Sequence, residues 1–245
     1  MAVFNGMIFS YSLGFKTSIS VIIPGENNAR KSDMPVLYLL HGLSDDHHNW
    51  LYQTSITRYA EQHNIIVVMP EVQRSFYADM EHGPKYFTYV AQELPQIMET
   101  LFGLTHKRKT TFVAGLSMGG YGAMKCALTR PEFYGKIASF SGALDAEAHR
   151  HDSLMPDFYL PFGNEMKPEN DLCSLCERLP KKNRPDIFIT CGTEDFLYQD
   201  NVNFRRKLEE QSIPYTYEEW PGTHEWGFWD VSVQKALDFF QEVSL

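Results

Sequence analysis

Ser117 sits at the centre of Gly115-Leu116-Ser117-Met118-Gly119, a Gly-x-Ser-x-Gly pentapeptide. An apolar run precedes it, and a segment that reads as a helix start follows. A serine hydroxyl is a poor nucleophile near neutral pH. It needs a base within hydrogen-bond reach, and the base needs an acid that fixes its tautomer and stabilises its charged form. A sharp strand-to-helix turn lifts such a serine clear of the backbone, and flanking glycines remove Cβ atoms that would clash. The chemistry this suits is acyl transfer, with free N–H groups at the helix start facing the negative charge that develops. The pentapeptide alone is a weak signal, because a glycine-rich turn with an idle serine has the same letters.

The order of the partner residues strengthens it. In strand-turn-helix serine hydrolases the acid and then the histidine follow the nucleophile. Asp195 lies just beyond the apolar run 186–192, and His224 is the only histidine after it. His41, His47, His48, His63, His82 and His106 precede Ser117, while His149 and His151 precede Asp195. Glu194 is expected to point elsewhere, and Asp200 to open a helix. Two backbone donors are expected to hold the oxyanion. One is Met118 N–H; the other is Leu43 N–H from His41-Gly42-Leu43-Ser44, with Ser44 as second choice. His41 is read as a brace for that loop rather than a base.

These residues need a scaffold that brings them to one place. Residues 3–11 and 16–24 alternate apolar and polar positions and read as an antiparallel pair turning near Gly14. The stretch 25–35 is polar loop. Residues 36–40, 65–70, 110–116, 136–142, 186–192 and 215–219 read as strands. Helices are expected over 50–62, 88–102 (started or kinked by Pro95), after Ser117 to Arg130, near 171–178, over 199–211 and over 228–243. Strands alternating with helices imply a largely parallel sheet covered on both faces, with its site beyond the carboxyl ends of the strands. The expected architecture is one α/β domain over 1–245 with a cap insertion at about 143–183. Aromatic residues of the 71–87 and 143–163 loops, together with Trp50, Phe76, Phe158 and Trp226, are candidates for the substrate pocket.

Composition narrows the partners. A net charge of −9 argues against nucleic acid or an anionic membrane surface. No apolar run reaches the ~18 residues of a membrane helix, and the N-terminus has no basic segment leading into an apolar core, so a cytoplasmic protein is expected. Cys173 and Cys176 form a lone C-x-x-C without the second ligand pair of a structural zinc site, and are read as reduced helix cysteines. Asp45, Asp46, His47 and His48 read as a polar loop rather than metal ligands. No metal or organic cofactor is expected. Aromatic residues of the cap offer a surface for homo-oligomer contact.

His41-Gly42-Leu43, the stretch from Gly115 through Ser117 to Ala123, Gly192-Thr193-Glu194-Asp195 and Pro221-Gly222-Thr223-His224 together resemble the esterase D family of α/β-hydrolases. The resemblance covers nearly the whole chain and is nearest the bacterial tributyrin esterase branch. It implies an α/β-hydrolase fold and a serine carboxylesterase acting on short acyl esters, acetyl or feruloyl among them. Catalysis would run through Ser117, Asp195 and His224. Other activities on the same residues are S-formylglutathione hydrolysis and acyl transfer; a binding module that has lost catalysis is the remote alternative. The chain departs from formylglutathione hydrolases in being shorter and in its cap.

Overall fold

The computed structural model describes residues 1–25, 34–153 and 155–242. Most of the polar stretch 25–35, and the end of the last helix at Val243, lie outside them. Among the described residues eight strands form one sheet: β1 (Ala2–Ser10), β2 (Phe15–Ile23), β3 (Val36–Leu40), β4 (Ile66–Pro70), β5 (Thr111–Leu116), β6 (Lys136–Phe140), β7 (Asp186–Gly192) and β8 (Thr216–Trp220). Their spatial order is β1-β2-β4-β3-β5-β6-β7-β8. The β1–β2 and β2–β4 pairs are antiparallel, and the rest are parallel. The inner strands β3, β4, β5 and β6 are buried at every position, as expected where helices cover both faces.

Two apolar layers sandwich the sheet. One packs Val36, Tyr38, Val68 and Val113 beneath α4 (Leu94–Phe102), α5 (Met118–Thr129) and α7 (Leu172–Arg178). The other packs Leu37, Leu39, Val67 and Phe112 beneath α1 (Asn49–Gln53), α2 (Ile56–Gln62) and α9 (Trp226–Gln241). Adjacent strand residues divide between the layers, as the alternation of a strand demands. The fold is that of an α/β-hydrolase.

Several boundaries differ from the sequence expectation for identifiable reasons. The helix expected over 50–62 is broken between α1 and α2. There the Thr54 hydroxyl donates to Trp50 O (2.6 Å) and accepts from Ile56 N–H (3.2 Å), which competes with the helical ladder. The helix around Pro95 starts earlier, at α3 (Tyr86–Thr88), and widens to a π-turn over Tyr89–Glu93 before α4. Pro95 has no N–H for the carbonyl of Ala91, four residues back, and the Arg130 guanidinium donates to that carbonyl instead. The last helix begins at Trp226, two residues early. Within the insertion, a 3₁₀ turn (Ala146–His149) and α6 (Tyr159–Phe162) precede α7, whose first turn is capped by Asp171. The insertion is tied down by a fork–fork pair between Arg74 and Asp157 (2.7 Å for each bond) and by backbone bonds from Glu81 and His82 to Pro161 and Leu160.

Candidate active site

Ser117 occupies the turn between β5 and α5 with φ 52° and ψ −118°, a backbone conformation that side chains other than glycine rarely adopt. Three hydrogen bonds hold it there. Its N–H donates to Phe140 O at the end of β6 (2.9 Å), and its carbonyl accepts from Tyr121 N–H and Ala143 N–H (3.1 Å each). The turn is pressed onto the neighbouring strand. A Cβ at Gly119 would lie 2.5 Å from Leu40 O, and one at Gly115 would lie 2.4 Å from Gly119 O.

Asp195 follows β7 and is buried. The His224 Nδ1–H donates to both of its carboxylate oxygens, at 2.9 and 3.0 Å, which leaves the Nε2 lone pair as the free acceptor of that ring. Leu197 N–H also donates to Asp195, at 2.8 Å. The loop carrying His224 is strapped to the loop carrying Asp195. Glu194 N–H donates to Gly222 O (3.1 Å), and the Glu194 carboxylate accepts from Gly222 N–H (2.5 Å). Glu194 therefore serves as a strut, and its carboxyl is held below the usual range first by that Gly222 bond. The imidazole of His224 is gripped between Phe196 (ring centroids 4.5 Å apart) and the edge of Trp229 (4.8 Å).

Ser117 shares a small cavity of about 50 Å³ with Leu43, Phe76, His149, Met155 and Phe196, among others. Phe196 links the two halves of the site: its ring lies against His224 and lines the cavity at Ser117. The Ser117 hydroxyl makes no hydrogen bond among the described residues, so His224 and Asp195 are joined directly and Ser117 is not bonded to them in this state. Such bonds often tighten only once substrate is bound. Neither Leu43 N–H nor Met118 N–H has a hydrogen-bond partner among the described residues. A larger hollow of about 610 Å³ lies at the opposite, amino ends of the strands, around Pro35, Arg108 and Lys136, and holds none of these groups.

His41 braces the loop after β3. Its Nδ1–H donates to Gly42 O (2.7 Å) and its Nε2 accepts from Val72 N–H (3.1 Å), so both ring nitrogens are used. Tyr77 O–H donates to His41 O (2.9 Å), and Asp45 accepts from Gly42 N–H (3.2 Å) and Asn49 (2.8 Å). Asp45, Asp46, His47 and His48 likewise spend their side chains on local contacts, His47 on Ser20 at 2.8 Å. Cys173 and Cys176 are free thiols on α7, and burial pushes the Cys176 thiol up to about 12, which makes it a poor thiolate source at neutral pH.

The aromatic candidates divide. Phe76 lines the cavity with its backbone at φ 51°. Trp50 does not: it is fully buried on the other face of the sheet, its Nε1–H on Leu40 O (3.1 Å) and its ring against Phe140 and Trp226. Trp226 belongs to the same far-side layer. Phe158 sits one layer behind the wall, packed on Phe162 with centroids 4.8 Å apart. The wall residues that sequence reading missed are His149, Asp152, Met155, Ala143, Phe196 and Leu197. Adjacency to Asp195 was a usable signal for the last two. Nothing in the aperiodic insertion marked the others.

His149 ties the insertion to α8 (Tyr198–Glu210). Its Nε2 meets Asp200 at 2.7 Å, and its Nδ1 faces Asp152 at 3.6 Å. The Asp200 hydrogen bond, outweighing burial, raises its pKa. A raised folded pKa means that the tether contributes fully below the ordinary histidine value of about 6.5 and is lost as pH rises through the folded value. The melting-temperature gap between wild type and His149→Gln is therefore expected to be widest in mild acid and to close on the alkaline side. A gap that does not change with pH would rule this linkage out.

An elbow serine beyond a parallel strand, a His–Asp pair on the next loops and two N–H groups without a partner among the described residues define an α/β-hydrolase. The family model described as "Putative esterase" matches residues 10–240, and the chain belongs to that family. It is 30% identical to an acetyl esterase of Caldicellulosiruptor saccharolyticus over the whole of both chains. Among solved structures it is similar to FphF of Staphylococcus aureus, a fluorophosphonate-binding serine hydrolase solved with substrate bound. The identity is 33%, the TM-score 0.91, and 99% of each chain is covered. It is also similar to FrmB, an S-formylglutathione hydrolase of the same organism, with 31% identity, a TM-score of 0.84 and 98% of each chain covered. Length therefore does not separate this chain from that S-formylglutathione hydrolase, contrary to the sequence expectation. The protein is a serine ester hydrolase. No helix among the described residues is long and apolar enough to cross a membrane.

Proposed function

We propose that the chain hydrolyses short-chain acyl esters through Ser117, His224 and Asp195. The observation that carries the reading is the size of the cavity at Ser117. A volume of about 50 Å³ has room for roughly three to five water-sized groups, enough for an acetyl to butyryl chain. A feruloyl group exceeds it. The similarity to an acetyl esterase supports the same range.

His224 Nε2 takes the proton of Ser117 as its oxygen attacks the ester carbonyl. Asp195 holds the resulting imidazolium through Nδ1–H. Leu43 N–H and Met118 N–H receive the oxyanion. The alcohol departs with the proton from His224, and an acyl-enzyme remains. Water then attacks through the same base and releases the acid. Every proton and electron pair is supplied by substrate, water and these side chains.

The deciding experiment compares p-nitrophenyl acetate, butyrate and octanoate. Acetate and butyrate are expected to exceed octanoate by about tenfold or more in kcat/KM, since methylenes beyond the cavity lose favourable contacts worth ~1–3 kcal/mol each. Preference for octanoate, or for a feruloyl ester, would overturn the reading. A second reading, thioester hydrolysis of S-formylglutathione, is favoured by the similarity to FrmB, and the one-carbon formyl group also fits the cavity. A kcat/KM for S-formylglutathione far above that for acetate would establish it.

A further inference from the structure

Lys125 is buried on α5, about two turns beyond Met118, and only 3% of it is exposed. No carboxylate pairs with it among the described residues. Its Nζ donates to Asn170 Oδ1 (2.6 Å) and to Tyr77 O (3.2 Å), and the Phe87 ring centroid lies 4.8 Å away. Burial pushes its amine down to about 8, so a cation is held here at a cost. The acyl-transfer steps make no use of it.

Phe76 and Tyr77 both have left-handed backbones, φ 51° and 50°. Bulky side chains keep that conformation only where their surroundings impose it. The turn sends two rings to different parts of the site. Phe76 lines the cavity at Ser117. Tyr77 reaches the oxyanion loop, where its O–H donates to His41 O (2.9 Å). Its ring is pressed onto α5, and a Cβ at Gly122 would lie 2.3 Å from it. Ser75 Oγ accepts from Tyr77 N–H (3.2 Å). Lys125 is the only donor to Tyr77 O among the described residues. Asn170, its other partner, belongs to the insertion and is itself held on α5, its carbonyl accepting from Tyr121 O–H (2.6 Å).

We propose that Lys125 is a positioning residue for the reaction. It locks the strained Phe76–Tyr77 turn to the helix that carries Met118. That lock fixes the Phe76 wall of the acyl cavity and, through Tyr77 and His41, the loop that offers Leu43 N–H. Methionine would fill much of the same space but leave Tyr77 O and Asn170 Oδ1 without this donor. The turn then relaxes toward negative φ, which withdraws the Phe76 ring and slackens the Tyr77 bond to His41 O.

This role rests on the short-acyl reading of the site, and each variant is compared with wild type so that the two fail separately. Rates on p-nitrophenyl acetate and octanoate are taken per serine titrated with a fluorophosphonate. Lys125→Met is expected to lower kcat/KM for acetate by about 30-fold or more, and the acetate-to-octanoate ratio by about tenfold or more. Tyr77→Phe removes only the hydroxyl on His41 O. It is expected to lower kcat by about tenfold on both esters and to leave the ratio at its wild-type value. A residue that only stabilises the fold would reduce the titre of active serine and leave the rate per serine and the ratio unchanged; that result in Lys125→Met overturns the proposal. A wild-type kcat in Tyr77→Phe overturns its oxyanion half. Lys125→Gln, one bond shorter with an amide donor, should move the ratio in the same direction and serves if Lys125→Met does not fold. Loss of the fold in both variants makes Lys125 a structural residue and overturns the proposal as well. A wild type that prefers octanoate defeats the short-acyl reading alone, because the shift of the ratio on substitution is still read against it.

Discussion

Ser117→Ala is expected to lower kcat on p-nitrophenyl acetate by about 10⁴-fold or more, with KM little changed and the fold intact. The geometry separates these effects. The hydroxyl makes no hydrogen bond among the described residues, so its removal leaves no buried group without a partner. The strained φ of 52° is imposed by backbone bonds to Phe140, Tyr121 and Ala143, which alanine keeps. The melting temperature should therefore stay near wild type while the nucleophile is lost. Rate over water should persist, because Leu43 N–H, Met118 N–H and the cavity remain. His224→Ala should cost a similar factor, and the double variant little more, since nucleophile and base act as one unit. Labelling by a fluorophosphonate probe should disappear with the hydroxyl. A Ser117→Ala protein within tenfold of wild type would place the nucleophile elsewhere.

The candidate site was legible in the sequence as far as chain order carries it. Ser117, Asp195 and His224 each sit just beyond or between elements whose apolar runs are plain, and a parallel sheet leaves such residues at one end. The same logic placed Leu43 in the loop after β3. Chain order says nothing about which face of the sheet an aromatic residue takes. Trp50 follows the oxyanion loop by a few residues, but α1 lies on the far side, so its ring enters the layer with Phe140 and Trp226. The insertion was illegible for a different reason. Its shape is set by long-range ties, Arg74 to Asp157 and His149 to Asp200, which leave no periodic trace. His149 and Asp200 are not partners for Ser117; the structure joins them to each other, His149 in the pocket wall and Asp200 on α8. The turn at Thr54 was equally hidden, since one hydroxyl bonding its own backbone decided it.

Gly119→Ala is expected to be a severely damaging single-methyl change at this site. The added Cβ would lie 2.5 Å from Leu40 O and 2.7 Å from His41 O, both backbone atoms at the end of β3. No rotamer change relieves a clash with backbone, so α5 must draw back from the strand. That movement carries Met118 N–H, one residue before, away from Leu43 N–H, and opens the oxyanion site. Overpacking of this kind costs about 1–3 kcal/mol, occasionally more, and loss of one oxyanion donor costs about 10²–10³ in rate. The variant should show both: a lowered melting temperature, and a depressed kcat in the fraction that remains folded, measured by titrating active serine with a fluorophosphonate. Gly227→Ala is the matched control. Its Cβ would meet only Glu225 Oε1, at 4.0 Å, in the first turn of α9. There alanine should be neutral or stabilise by up to about 1 kcal/mol through helix propensity, with kcat unchanged. Wild-type stability and rate in Gly119→Ala would mean that the serine turn adapts without cost, and the glycine would then be no guide to where the oxyanion forms.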